Sequence, residues 1–558
     1  MVKTDLEAAQ QLVDQLQTQV KDGDFVALNA TSAQLQARSS SAVNGTHDLT
    51  WRIAEFVPVV GENLKAVRIV AESIDDVVVD VAAPAVTLLG SFDVGARDPE
   101  TGGFDLAPIK KAQEIAAAAT TVFSTSLEKI DTINVSSTVG PVSAAVVKLD
   151  GLMTSADAVV SDMGPLLNVA GSALGMDGPR NYLLAFQNNA ESTALGGSAA
   201  SYTLMHSENG AISIAAQANS GDFEEGTAVD VDVDQSALDL YSSYLVDHIN
   251  TSTSRPDFPT AAKTISAFWA RDQGAAVDGV ISVDPLALAL VLKATGPITL
   301  TSGDVLTDEN AVGLLTNGIY MRYPDNEDAP KADAFFEEAA ASILAKVIGG
   351  EFDINAMLTA VTDGINKGSI MMWVSDPAQQ SSLDGSRLQG TLPASNDDET
   401  VVGVYYRDTS ASKIDFYLDT ETATTSDRCT TPGTTTFTTA VTLHSRLTEA
   451  EAEDLPEYVR SQNFGTEKFR TQVFVYGPVG ATLTSAGIDS QGVETTIGAG
   501  TNDLNRPVAP IEIYLAPGET STVNVTFALA TSDAGPLQVR GTPMIHATKS
   551  TVTDSTCN

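Results

Sequence analysis

Cysteine is nearly missing from this 558-residue chain, with only Cys429 and Cys557 present. Two cysteines this far apart exclude a CxxC metal or dithiol site. Both fall in the last quarter, one near the start of the C-terminal segment and one near its end. That placement is expected of a disulfide fastening the terminus in an oxidising compartment, two separate thiols being the other reading. Positive charge is also scarce: 31 Lys and Arg stand against 72 Asp and Glu, a formal net charge of −41. Such a surface repels phosphate backbones and anionic headgroups, which excludes nucleic acid and an anionic bilayer surface as partners.

Five histidines, His47, His206, His248, His444 and His546, show no HxxxH spacing, so a His-based zinc site has no support. Long hydrophobic runs are missing too. The most apolar stretch, Val77 to Leu89, is interrupted by Asp80 and falls short of the ~18 residues a spanning helix needs. Met1-Val2-Lys3 leads straight into an amphipathic pattern with no leader core. The expectation is an extracytoplasmic, cell-surface protein whose membrane anchor lies outside this sequence. There is no GxSxG elbow, phosphate loop or dinucleotide fingerprint.

What is present is globular: 43% hydrophobic and 18% charged residues. At ~150 residues per domain the length implies three or four cores. Leu6, Ala9, Val13, Leu16 and Val20 alternate steps of three and four, a short heptad seam broken at Asp22-Gly23-Asp24. A second helix from Phe25 to about Ala37 makes this a helical hairpin. Helical patterning returns from Trp51 to Leu89, punctuated by Pro58 and Gly61. It recurs over Ala107 to Ile130 and Val142 to Val169, with a kink or turn at Gly164-Pro165.

After Gly178-Pro179 strands alternate with helices, the signature of a layered α/β domain. Strands are expected at Asn181–Phe186, Ser201–Met205, Ala211–Ile214 and Val280–Val283. Helices are expected at Ser236–His248 and Thr260–Arg271, and from Pro285 with Asp284 as its cap. From Val401 short strands follow at roughly ten-residue spacing, among them Ile414–Leu418 and Val523–Leu529, which points to a β-sandwich. The expected organisation is multidomain α+β: a helical bundle over 1–173, a central α/β domain over 174–395 and a β-sandwich over 396–558.

Consecutive amides after a buried strand, Gln187-Asn188-Asn189 with Glu191, mark a candidate polar ligand site, because such groups are costly to bury unpaired. Gly196 and Gly197 permit close backbone approach there. The alternative is a hydrogen-bonded turn that pins neighbouring loops. Arg255, Asp257, Arg322 and Lys331 complete the candidate ligand set. Arg322 reads either as an anion clamp or as the partner of Asp325, Glu327 or Asp328, and Arg255 carries the same ambiguity. The acidic run Asp222, Glu224, Glu225, Asp230, Asp232 and Asp234 lacks the spacing of a calcium loop and reads as a solvated segment. No resident cofactor is expected, Mg²⁺ or Ca²⁺ being the only ions the acids would favour, and no catalytic set is identified.

Asn181-Tyr182-Leu183-Leu184 through Gly196-Gly197, Pro256-Asp257-Phe258-Pro259 with Trp269, Val277–Pro285 with Thr295-Gly296-Pro297, and Ser412–Tyr417 together resemble the bacterial domain-of-unknown-function 4012 family. The resemblance extends from about residue 50 onward. It implies membrane-anchored proteins with their bulk outside the membrane and no settled activity. The central domain also looks distantly similar to the LytR-CpsA-Psr family, which transfers glycopolymers from polyprenyl pyrophosphate carriers to the cell wall. That chemistry requires arginines for the pyrophosphate and an aspartate for Mg²⁺. Here the family's Asp-x-Arg falls on Asn188-Asn189-Ala190 and its Arg-Ser-Asp near Ala199-Ala200-Ser201. Phe335-Phe336 stands where a further arginine belongs, and only Arg322, with Lys331 beside it, survives.

Three functions remain open on sequence alone. The first is a non-catalytic envelope module that binds a glycopolymer, a lipid-linked saccharide or a protein. The second is a divergent transferase using Arg322, Lys331 and carboxylates such as Asp284 or Asp257. The third is a structural component that self-associates through its N-terminal helices.

Overall fold

The computed structural model describes residues 2–22, 24–58, 60–91, 96–99, 101–457, 459–461, 468–490, 492–531 and 534–555. Two compact units emerge, one of residues 1–179 with 207–211, the other of 180–206 with 212–558. The expected central and C-terminal segments both lie in the second unit. Cys557 lies outside the described residues, and the expected bridge from Cys429 lies outside them with it.

In the first unit, α1 (Val2–Asp22) and α2 (Phe25–Thr46) form an antiparallel hairpin. Asp24 caps α2 by accepting from the Ala27 N–H at 3.0 Å. Leu6 packs with Ala42, and Ala9, Val13 and Leu16 with Leu35 and Val78, so these seam positions are spent inside the chain. After α3 (Leu49–Ala54), α4 (Gly61–Val77) passes through a π-helical turn, Val78–Ala82, into α5 (Ala83–Ser91). Then α6 (Ala107–Asp131) and α7 (Gly140–Ala173) join α4 around Ile69, Val70, Phe123, Ile130, Leu149 and Met153. α7 continues through Gly164-Pro165 without a turn.

The second unit begins with β1 (Arg180–Thr193), β2 (Gly196–Glu208) and β3 (Ala211–Asn219). Here β1 runs past Phe186 and carries all three amides within the strand, not in a turn after it. α8 (Gln235–Tyr241) and α9 (Tyr244–Asp247) replace the single helix expected from Ser236 to His248. Ser242 takes a left-handed φ of 65°, which no helix continues through. α10 (Phe258–Gln273) leads to β4 (Gly279–Val283), which pairs parallel with β1 and places Leu184 opposite Ile281. α11 (Pro285–Thr295) follows, capped as expected by Asp284, whose carboxylate accepts from the Ala287 N–H at 2.9 Å.

A short hairpin, β5 (Ile298–Thr299) and β6 (Val305–Leu306), precedes α12 (Ala311–Gly313), a π-helical turn and α13 (Ile319–Arg322). α14 (Ala329–Gly349), α15 (Ile354–Lys367) and β7 (Ile370–Val374) complete the segment. The sheet order is β3-β2-β1-β4-β7, with β7 antiparallel to β4. Leu183, Ala185, Val280, Met371 and Trp373 from three of its strands bury against Ile265, Phe268 and Trp269 of α10.

From β8 (Thr400–Asp408) the chain is nearly all strand: β9 (Leu418–Asp427), β10 (Thr435–Ser445), β11 (Phe469–Tyr476), β12 (Thr482–Ile488), β13 (Thr495–Ile497), β14 (Thr501–Asp503), β15 (Arg506–Leu515), β16 (Thr520–Leu529), β17 (Leu537–Gly541) and β18 (Lys549–Asp554). They make two sheets, β12-β16-β10-β9-β18 and β13-β15-β11-β8-β17, with β14 beside β15. Strict alternation sends Phe437, Val441, Val523 and Phe527 inward to meet Val404, Val473 and Ile511. Outward threonines pair across strands, Thr438 with Thr526 at 3.1 Å and Thr442 with Thr522 at 2.9 Å.

Ile414–Tyr417, expected as strand, is a 3₁₀ turn before β9. The neighbouring charged groups explain it: Lys413 is drawn to Glu191, and Asp415 turns inward to accept from the Ser192 N–H at 2.9 Å.

Phe527, fully buried between the sheets, is expected on substitution to alanine to cost about 3–5 kcal/mol as a large core cavity. Thr442→Ala, at the wet face, is expected to cost less than about 1 kcal/mol. Urea unfolding followed by tryptophan fluorescence and circular dichroism checks both, and equal losses would refute the inward–outward assignment.

Candidate functional site

The amides of β1 border a cavity of about 260 Å³ built wholly within the second unit. One wall is β1 and the start of β2, with Phe186, Asn188, Glu191, Ser198 and Ser201. The facing wall is α14, with Asp333, Phe336 and Glu337, while Tyr320 and Lys413 close the side.

Each amide is held from inside. Gln187 donates to Ser282 Oγ at 2.5 Å and accepts from the Gly197 N–H at 2.7 Å. Asn188 donates to the Tyr320 hydroxyl at 2.6 Å and accepts from the Ala190 N–H at 3.1 Å. Asn189 donates to Asp284 at 3.1 Å and to the Pro543 carbonyl at 3.0 Å, leaving its buried Oδ1 without a partner. The glycines serve this packing. A Cβ on Gly197 would lie 2.1 Å from the Asn188 carbonyl oxygen, so the close approach is to β1 itself and not to a ligand. Asn189 is therefore a structural pin away from the cavity, while Gln187, Asn188 and Glu191 line it.

Among the described residues four lining carboxylates, Glu191, Asp284, Asp333 and Glu337, stand against one ammonium, Lys413, and no arginine lines the cavity. Lys413 pairs with Glu191 and sits 5.0 Å from the centre of the Tyr320 ring. Burial pushes the Asp284 carboxyl up to about 6, against the opposing pull of the Ala287 N–H and Asn189. Burial also raises Asp415 and Asp408 behind this wall, each further disfavoured by a neighbouring carboxylate. Asp415 Oδ1 is buried without a partner.

The other sequence candidates lie elsewhere. Arg322 forms a two-pronged pair with Asp304 at 2.7 and 2.8 Å, not with Asp325, Glu327 or Asp328, and it holds Asp304 down at about 2. Lys331 pairs with Asp328 at 2.7 Å. Arg255 donates to Asp503 at 2.7 and 3.1 Å and to Asp234 at 2.9 Å, with Asp257 at 3.4 Å. Tyr476 also donates to Asp503, at 2.9 Å, and shares a 2.7 Å hydrogen bond with Tyr241. This closed network welds the central segment to β14. It absorbs Arg255, Asp257 and one member of the acidic run.

A bound Mg²⁺ of the LytR-CpsA-Psr kind does not fit these residues. Asp284 is buried and spent on capping α11 and holding Asn189. Among the described residues no three His, Cys, Asp or Glu side chains gather as a metal centre. No step is derived through such an ion.

The sequence reading missed Lys413, Asp333, Glu337 and Tyr320. The available signal was a lone lysine and a lone aspartate inside the apolar run at 412–418, where charges are costly unless paired.

Residues 177–320 match DUF4012, a protein family of unknown function. That stretch holds β1 to β4, α10, α11 and Tyr320. No curated protein matches the chain. Among solved structures, protein gbs0355 from Streptococcus agalactiae is similar at 12% identity over 41% of this chain and 81% of its own, with a TM-score of 0.24.

Asp284 supplies a pH test. Its folded carboxyl titrates at about 6, against ~3.9 in an unfolded chain. The folded state therefore binds more protons between those values. The stabilisation is full below ~4 and is lost as pH rises through about 6. Wild type measured against Asp284→Asn is expected to lose about 2 kcal/mol of relative stability between pH 4.5 and 7.5, the part of the roughly two-unit shift that falls in that window. Asp408 and Asp415 titrate in both proteins and cancel. A wild-type minus variant difference that stays flat with pH in thermal melts would refute the assignment.

Proposed function

We propose that this chain is a non-catalytic, extracytoplasmic binding module of a bacterial cell envelope, and that its cavity takes an uncharged, hydroxyl-rich ligand such as a short saccharide segment of a wall polymer. The carrying observation is the charge of the lining: four carboxylates, one ammonium and no guanidinium. Carboxylates and amide oxygens accept from sugar hydroxyls, and the faces of Phe186, Tyr320 and Phe336 suit the apolar side of a pyranose ring. The same lining repels a pyrophosphate, which needs several guanidinium groups or a metal to be held. At about 260 Å³ the cavity is just below the ~300 Å³ at which drug-sized pockets begin, so one sugar residue is the natural occupant.

On this reading the two C-terminal sheets form a β-sandwich and the central sheet is a LytR-CpsA-Psr-like scaffold that has lost its phosphate-binding charges.

The test is saturation-transfer NMR and calorimetry on the full chain with N-acetylglucosamine, glucose and galactose, set beside inorganic pyrophosphate with Mg²⁺. At least one sugar is expected to bind, and Asn188→Ala and Asp333→Asn are each expected to weaken it roughly tenfold, the value of one lost hydrogen bond to a buried or charged group. Pyrophosphate binding more tightly than every sugar, and surviving those substitutions, would replace this reading with the transferase.

A further inference from the structure

A second cavity, of about 60 Å³, lies at the far end of the β1–β2 hairpin and has the opposite charge. Lys367, at the end of α15, Arg387 and Arg540, on β17, converge on it beside Thr391 and the buried ring of Tyr405. Among the described residues no carboxylate lines it.

The cations are incompletely neutralised. Arg540 reaches Glu399 with one nitrogen and the Thr391 carbonyl at 3.0 Å with another, while its buried Nε has no partner. Arg387 donates to the Asn366 carbonyl at 2.7 Å and, among the described residues, to no carboxylate. Among the described residues Lys367 Nζ has no hydrogen-bond or ion-pair partner. Behind them Arg506, fully buried, donates to the carbonyls of Val401 at 2.9 Å, Gly477 at 3.0 Å and Pro393 at 2.6 Å, with its Nε unpartnered. Among the described residues Glu399 is thus the acid shared by the three guanidinium groups. Their mutual repulsion is felt: burial first, and Arg540 next, depress the Arg387 guanidinium.

A chain with a net charge of −41 has acids to spare, so a local surplus of positive charge around a cavity is not a by-product of composition. Desolvated guanidinium groups with unused donors need an acceptor, and forked N–H geometry matches the oxygens of a carboxylate or phosphate. The volume is about twice the ~30 Å³ a water takes in the liquid, which is room for one small oxyanion.

We propose that the cavity formed by Lys367, Arg387 and Arg540 is a binding site for a single small oxyanionic group, a carboxylate or a phosphate. The site is independent of the saccharide cavity, whose lining residues it does not share.

Calorimetry of the full chain with sodium phosphate, sodium sulfate and sodium acetate, each matched in ionic strength with sodium chloride, tests this. Saturable binding of at least one anion is expected, weakened roughly tenfold or more in Arg387→Gln and in Lys367→Gln, as for loss of one charge-assisted hydrogen bond. It is expected unchanged in Arg271→Gln, whose guanidinium pairs with Asp272 on another surface. Acetate binding as well as phosphate assigns a carboxylate-bearing ligand, and phosphate or sulfate alone assigns a tetrahedral one. Lys367 is exposed, so its variant is expected to fold even where Arg387→Gln does not. No saturable binding of any of the three anions, or equal affinity in wild type and Lys367→Gln, would overturn the proposal. Asn188→Ala is expected to leave anion binding intact, which separates this result from the fate of the saccharide reading.

Discussion

The Arg255–Asp503 pair is the contact on which the second unit turns. It joins positions 248 residues apart, with the Arg255 side chain only 3% exposed and that of Asp503 fully buried. Removing two charges from water is expensive, and the cost is recovered only when every donor and acceptor is satisfied. Here that happens: Asp234 and Asp257 take other faces of the guanidinium, and Tyr476 donates to the carboxylate. The central segment and the two strand-rich sheets therefore share one electrostatic joint as well as one hydrophobic core, in which Leu292 and Phe335 belong to the same cluster as Val473 and Phe527.

A similar accounting governs β1, with the Asn189 Oδ1 left over. Three successive amides inside a buried strand are tolerable only because each has a dedicated partner from a distant segment: Ser282 for Gln187, Tyr320 for Asn188, Asp284 for Asn189. Two of the partners, Asp284 and Tyr320, also line the larger cavity. Ser282 belongs to β4, Asp284 starts α11, and Tyr320 ends the helical run before α14. What reads in sequence as a ligand-facing turn is a strand that both lines the cavity and anchors it, while α14 and Lys413 add polar groups from elsewhere.

That division explains what was legible in the sequence. The strand at 181–186, the cap at Asp284, the alternation from Val523 to Leu529 and the helices of the first unit follow from local pattern, and local pattern survives folding. The extension of β1 through Gln187-Asn188-Asn189 did not show, because strand propensity disfavours Asn and only long-range hydrogen bonds hold it there. The split at Ser242 rests on one left-handed residue that composition does not mark. The partner of Arg322 was sought among nearby acids and found in Asp304, eighteen residues back, because a hairpin brings it round. Of the candidate site, Asn188 and Glu191 were readable as polar groups after a buried strand. Lys413, Asp333 and Glu337 were not, since nothing in the sequence says which charged residues converge.

Net charge was the strongest sequence signal, and it acts at the wrong scale to describe either cavity. At physiological ionic strength a charge is screened over ~8 Å, so a pocket senses its own lining far more than the distant surface. The acid-rich cavity extends the chain's overall character, whereas the cavity around Arg387 and Arg540 reverses it locally. The reversal is possible because Arg387 and the Arg506 behind it are bonded to backbone carbonyls, which stabilise the cation without cancelling its charge. An arginine bonded to a carboxylate is electrostatically silent at short range; one bonded to carbonyls still projects a field. The distinction separates Arg322 and Arg255, each answered by aspartates, from Arg387 and Arg506, which are held by backbone carbonyls beside the β1–β2 hairpin.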